Sequence, residues 1–317
     1  MKLAIVLIKF NNYIHNLIVI FTKSNINVIL YYMSFISKYN KKIIYPALIW
    51  FIVFFIFPLF IIFIYSFATN YLFSKELHFT LKNFLLIFQK KHYLIILGRS
   101  IKISVITTIF SIFFSYPIAY FLAKKTKFDK ILIVTLMIPF WINYLIRIFA
   151  WKLLLSENGI LNQILLSLNI IDKPLKVLYS QTAVILGLIY TYTPMMVLPL
   201  YATISKIDNT LIEAARDLGA SRVRAFFDIT FKLSLTGIFA GTLLVFIPAL
   251  GSFAIPAILG GTDSVMIGNI IENQFLHVGN WNFGSAFTLA LAGLSIALIL
   301  FYSKLFGLES IYKNREF

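Results

Sequence analysis

The pattern with the clearest functional content lies between Ile207 and Ser234. Thr210-Leu211-Ile212-Glu213 has the form of a capping box, in which a hydroxyl and a carboxylate satisfy the bare N–H groups of a helix start. Leu211, Ala215 and Leu218 recur at i, i+4 and i+7, which puts them in one narrow apolar stripe. Gly219 suits the left-handed position just past a helix end, and Ser221 can cap a second short helix from Arg222 onward. The segment reads as helix, glycine corner, helix. A stripe of small and apolar side chains on a short exposed helix favours docking against another surface. A helical hairpin with no partner would carry the same local features.

Bond-breaking chemistry finds little support elsewhere. Enzymes that work in a membrane need acids or histidines gathered near the interface, and none are gathered here. Glu157, Asp172, Asp263 and Glu272 are spread over two connecting segments. The 4 His have no paired spacing and Cys is absent, so neither a metal centre nor a disulfide is expected. No Gly-Lys-Ser/Thr phosphate loop occurs, so ATP hydrolysis is not expected of this chain.

The elements that position the 207–234 segment follow from composition. Hydrophobic residues make up 60% of the chain and charged residues 13%; soluble domains carry roughly one quarter charged residues. The apolar residues gather in runs long enough to cross about 30 Å of hydrocarbon. Six runs stand out, near 43–67, 101–123, 131–155, 183–205, 235–258 and 285–306. The expected fold is an all-α integral membrane protein of six transmembrane helices. Pro58, Pro117, Pro139, Pro194, Pro199 and Pro248 fall inside the runs. Lipid tolerates such breaks where neighbouring helices satisfy the freed backbone groups.

The net charge of +16 does not point to nucleic acid, because Lys and Arg sit in short segments between the runs. Segments 1–42, 124–130, 206–234 and 304–317 hold six, four, five and three Lys or Arg. The opposite segments 68–100, 156–182 and 259–284 hold five, two and none. By the positive-inside rule both termini are cytoplasmic. Residues 1–42 form a basic extension whose stretch Leu3–Phe21 carries Lys9, Asn11, Asn12, His15 and Asn16. That stretch reads as an interfacial helix or a dispensable extension, because polar groups at mid-depth are costly. Residues 43–306 form the membrane domain with its 207–234 loop, and 307–317 a cytoplasmic tail.

Glu213-Ala214-Ala215, three residues, Gly219, nine residues and Ile229 resemble the signature loop of importer permeases of the ATP-binding-cassette superfamily. The likeness extends over about residues 40–310. Ile138-Pro139-Phe140-Trp141, Tyr144-Leu145-Ile146-Arg147, Glu157-Asn158-Gly159 and Phe246-Ile247-Pro248-Ala249-Leu250-Gly251 are similar to the spermidine/putrescine branch, nearest to the first of its two paired permeases. The resemblance implies a transport subunit of the bacterial inner membrane and not an enzyme. It implies that Glu213, Ala214, Ala215, Leu218 and Gly219 sit in a groove of a cytoplasmic ATPase dimer. It further implies a second homologous permease, an extracytoplasmic solute-binding protein and contact with membrane lipid. The chain would hold no cofactor, ATP being used by the ATPase. The family usually has Pro where this chain has Lys232 and Thr236, and acids where it has Ser252 and Ala257.

An amine substrate favours acids and aromatic faces. Trp141, Tyr144, Tyr190 and Tyr192, with Asp263 and Glu272, are therefore candidates for the solute pathway; the aromatics would equally serve helix packing or an interfacial belt, and the acids a solvated loop. Arg147 lies four residues before Trp151, a spacing that allows the two to stack. An importer for another small solute, an ion-coupled transporter and a membrane transferase are the alternative readings.

Overall fold

In the computed structural model, residues 45–46, 48–69 and 78–305 are described. The extension 1–42 and the tail 307–317 lie outside them. The chain divides into two units, residues 1–62 and 63–317. The first contains most of α1 (Leu48–Phe67), an apolar helix with a π-helical stretch at Ile52–Ile56. The second unit holds α2 (Lys82–Gln89), α3 (Lys91–Lys124), α4 (Asp129–Trp141), α5 (Tyr144–Leu155), α6 (Ile160–Ser167), α7 (Gln181–Ile204), α8 (Asn209–Asp217), α9 (Arg222–Leu250), α10 (Ala254–Leu259), α11 (Ile267–Leu276) and α12 (Trp281–Leu305). Among the described residues there is no strand, only an isolated bridge between Ala68 and Phe79.

Among the described residues, five helices are long and apolar enough to cross a membrane: α1, α3, α7, α9 and α12. The run expected at 131–155 is not one straight span. It breaks after Trp141, and the two halves meet at 87°. Ile142 is extended, and the Asn143 side chain caps the second half by accepting from the Leu145 N–H at 2.9 Å. Pro139 has already removed a donor from the last turn of α4. Both halves are apolar, so hydropathy alone cannot show the corner. Counting the bent pair as one span gives six.

Two other spans differ from expectation. α3 starts about ten residues before the run at 101–123 and extends to 34 residues, about 51 Å at 1.5 Å per residue. The helix expected to be short and separate from Arg222 onward is the first turn of α9, continuous through a π-helical stretch at Phe226–Phe231 to Leu250. Lys232 and Thr236 both keep the N–H that a proline would lack, so nothing interrupts the ladder there. The run at 235–258 ends instead at Gly251–Phe253, where the chain leaves α9 before α10.

The packing centre is α7, against which α3 and α9 both lie. Val184, Leu188, Met196, Val197, Leu200 and Ile204 on α7 are fully buried. α3 meets them with small polar residues: Ser100, Ser104, Thr107, Thr108, Ser111 and Ser115 share one buried face. Small side chains let helices approach closely where lipid supplies no hydrophobic drive for association. The α7–α9 contact is closest at Gly237 and Gly241. A Cβ on Gly241 would lie 2.3 Å from Met196 Sδ, and one on Gly237 2.8 Å from the Pro199 carbonyl.

Gly241→Leu should overpack this crossing and cost about 1–3 kcal/mol. Thermal unfolding in detergent will show it as a lower midpoint. Gly293→Leu on α12, where a Cβ meets nothing within 4 Å, should leave the midpoint nearly unchanged.

Candidate coupling surface and translocation pathway

The segment between α7 and α9 forms the helix–glycine corner–helix expected of it. Gly219 adopts φ +88°, the left-handed conformation, and the Gly219 and Ala220 amides close the end of α8 on the Arg216 and Ala215 carbonyls. Ser221 caps α9, accepting from the Arg224 N–H at 3.2 Å.

The start of α8 differs from the expected capping box. Asp208, not Thr210, is the N-cap, and it accepts from the Thr210 N–H at 3.0 Å. That bond, with the Thr210 hydroxyl, holds the Asp208 carboxyl below the usual carboxylate range. Thr210 and Glu213 are consequently two residues too far along to form the box. Glu213 makes no hydrogen bond or ion pair among the described residues and stays exposed. Leu218 is 90% exposed, Leu211 is exposed, and no residue of α8 is buried. Among the described residues, nothing therefore buries the apolar stripe.

The segment is held at its two ends. Lys124, the last residue of α3, donates to the Ile207 carbonyl and to Asn209 Oδ1. Tyr201 on α7 donates to the Asp129 carboxylate at the start of α4. On the other side, the Tyr116 and Tyr120 rings of α3 pack edge-on against Phe226, with centroids 5.7 and 5.6 Å away.

The pathway candidates do not form one group. Tyr144 and Tyr192 come together near Ser252, which follows α9. Tyr192 is nearly buried and its hydroxyl reaches the Pro248 carbonyl at 3.4 Å. The buried Ser252 hydroxyl has no hydrogen-bond partner within normal geometry. Tyr190 points elsewhere and packs on Trp151, ring centroids 5.3 Å apart. Trp141, at the corner of the bent span, is 81% exposed. Asp263 is exposed in a 3₁₀ turn at Thr262–Ser264, and Glu272 on α11 pairs with His277 at 3.5 Å; neither bonds to the tyrosines. Arg147 does not stack on Trp151. Its guanidinium lies over Phe140 at 5.1 Å and Tyr144 at 5.9 Å. The side chain is buried, its Nε is unpartnered, and no acid pairs with it among the described residues.

No protein-family model matches the sequence. The spermidine/putrescine transport permease PotB of Salmonella typhimurium is 39% identical over 268 residues, covering 84% of this chain and 93% of that protein. PotB of Haemophilus influenzae is 38% identical over 272 residues with the same coverage.

The chain belongs to the PotB permease family.

PotB of Escherichia coli, at 41% identity over 225 residues, covers 71% of this chain and 82% of that protein. A solved bacterial alginate ABC transporter, in complex with a periplasmic protein, shares the fold with TM-score 0.70 at 17% identity, covering 86% of this chain and 96% of that one. A second alginate importer structure gives 0.64 at 18% identity. The PotB-family sequence pattern thus carries the fold seen in those importers, and the chain is a multi-pass membrane protein.

Sequence reasoning missed Asp208 because the Thr210–Glu213 box masked an equally good cap two residues earlier. It missed Lys124 because a lysine there also satisfies the positive-inside rule. Tyr116, Tyr120 and Lys124 do repeat at i, i+4 and i+8, which is the signal that could have found them.

Asp208→Ala should raise hydrogen exchange at the Thr210 amide severalfold, while Asp208→Asn should keep it protected because Asn caps as well as Asp. The folded carboxyl titrates below its unfolded value near 3.9. The cap's charge-dependent stabilisation is therefore present above that pH and lost as pH falls through the folded value. Exchange followed downward from about pH 6 should show that loss setting in below about pH 4 in the native chain and not in Asp208→Asn.

Proposed function

We propose that the chain is the pathway-forming subunit of an ATP-driven polyamine importer of a bacterial inner membrane, with both termini in the cytoplasm. The observation that carries coupling is the uncovered corner around Gly219: a capped helix with an exposed Leu218, a free Glu213 and a backbone turn that only glycine adopts without strain. Glu213, Ala214, Ala215, Leu218 and Gly219 are the surface taken by a cytoplasmic ATP-binding-cassette ATPase dimer. A second homologous permease completes the pathway, and an extracytoplasmic binding protein delivers solute. ATP is bound and hydrolysed by the ATPase and no cofactor is held by this chain. Nucleotide binding biases the assembly between inward-open and outward-open states, which requires only that the docked corner differ in position between the two.

The polyamine assignment rests on the PotB relatives. Tyr144 and Tyr192 offer aromatic faces to an ammonium group, with Trp141 and Tyr190 as further aromatic candidates apart from them, and Asp263 and Glu272 give the segment 259–284 an acidic field. The buried Arg147 favours a second reading, a small solute other than a polyamine, because a fixed positive charge beside Tyr144 opposes a cation. Uptake of labelled spermidine by the reconstituted complex, challenged with unlabelled putrescine and with neutral solutes, separates the two. Competition by putrescine alone supports the polyamine, and no spermidine uptake removes it.

Gly219→Val should weaken retention of the ATPase on purification and lower uptake about tenfold, because a left-handed backbone costs an L-residue about 1–2 kcal/mol. Co-purification and uptake at native levels would remove the docking role.

A further inference from the structure

The last two turns of α3 present Tyr116, Tyr120 and Lys124 on one face, at i, i+4 and i+8. That face holds the coupling segment on both sides of its exposed corner. Before the corner, Lys124 Nζ bonds to the Ile207 carbonyl and to Asn209 Oδ1, the latter at 2.9 Å, beside the Asp208 carboxylate. After the corner, Phe226 sits edge-on to both tyrosine rings, Phe231 lies 5.9 Å from Tyr116, and the Tyr116 hydroxyl is 3.0 Å from Ser234 Oγ. α8 between these holds buries nothing. Among the described residues, a force on the corner therefore leaves it by two routes: along the chain into α7 and α9, or across to this face of α3.

The chemistry of position 124 suits the second route. An ammonium is a compact charge with three donors, able to serve a carbonyl and an amide oxygen at once. Lys125, Lys127 and Lys130 carry the same charge in the same connection, are exposed, and make no side-chain hydrogen bond among the described residues. Topological charge is thus supplied three times over without Lys124, and only Lys124 grips the segment.

We propose that Lys124, backed by Tyr120 and Tyr116, is a positioning residue that passes displacement of the docked coupling segment to α3, so that without it ATP is hydrolysed with less solute imported. The proposal rests on the docking role assigned above to the corner. Its test uses the full complex, permease pair with ATPase and binding protein, in proteoliposomes, with labelled spermidine import and phosphate release read on the same vesicles. Lys124→Met keeps the stem and loses the donors. It should raise the ATP hydrolysed per spermidine imported about tenfold, the scale of one charge-assisted hydrogen bond. Lys124→Arg should restore most of the coupling. Lys125→Met, with the same charge change, should stay within about twofold of the native ratio. Because a ratio is read, lower membrane insertion does not mimic the effect. Where Lys124→Met fails to insert, Asn209→Ala removes one acceptor alone and should raise the ratio in the same direction. An unchanged ratio in Lys124→Met, or in Asn209→Ala when it stands in, overturns the proposal, as does an equal rise in Lys125→Met. Failure of the docking role would instead appear as Gly219→Val retaining its ATPase.

Discussion

In hydrocarbon, a helix break leaves N–H and C=O groups that no water can satisfy, at several kcal/mol each. The architecture of this chain depends on how those groups are repaired, and the repair is made by asparagine. Asn143 closes the corner of the bent span by accepting from Leu145. Asn162 donates to the Ser156 and Leu175 carbonyls and accepts from the Leu175 N–H, tying the segment after α5 to the one before α7. Asn269 donates to the Phe253 carbonyl between α9 and α10, which also accepts from the Ala257 N–H, and it accepts from the Met266 N–H. Asn83 and Asn282 both reach the Ala68 carbonyl beyond the end of α1. One amide side chain offers a donor pair and an acceptor, so it can mend a backbone where a hydroxyl mends half.

Two of those repairs shape the interior. The break at Ile142–Asn143 turns α5 away from α4 and brings Tyr144 to Tyr192. The break at Gly251–Phe253 brings Ser252 to the same place from α9. Straight spans would have put these residues on separate helices with no common space. Interrupted helices, each mended by an asparagine, are what assemble the polar group at the middle of an apolar fold.

Run length and charge placement made the all-α class and the six spans legible, because bilayer thickness leaves few other solutions. The glycine corner was legible for a similar reason: Gly219 needs a positive φ and few residues tolerate it. The 87° bend was not, since Ile142 and Asn143 interrupt an apolar run without changing its mean. The continuity of α9 was not either, because Ser221 marks a helix start equally well for four residues or for twenty-nine. Glu213 was read as a cap from local spacing. Asp208 reaches the first open amide of α8 sooner, and competition between two adequate caps is decided by the path of the chain out of α7. Tyr190 and Tyr192 looked alike in sequence, but two residues along a helix is more than half a turn, so they part company toward Trp151 and Pro248.

The length of α3 has a mechanical meaning. Near one end Lys124 bonds to the start of the 207–234 segment; toward the other, Arg99 reaches the Thr262 carbonyl and Ser100 Oγ accepts from the Ile267 N–H that opens α11. Some 24 residues separate Ser100 from Lys124, about 36 Å of helix. The bent span of α4 and α5 would dissipate a twist at its corner. α3 has no such corner, only Pro117 about two turns from its end, so it has the form of an axle: a rotation imposed at one rim would reach the other as rotation.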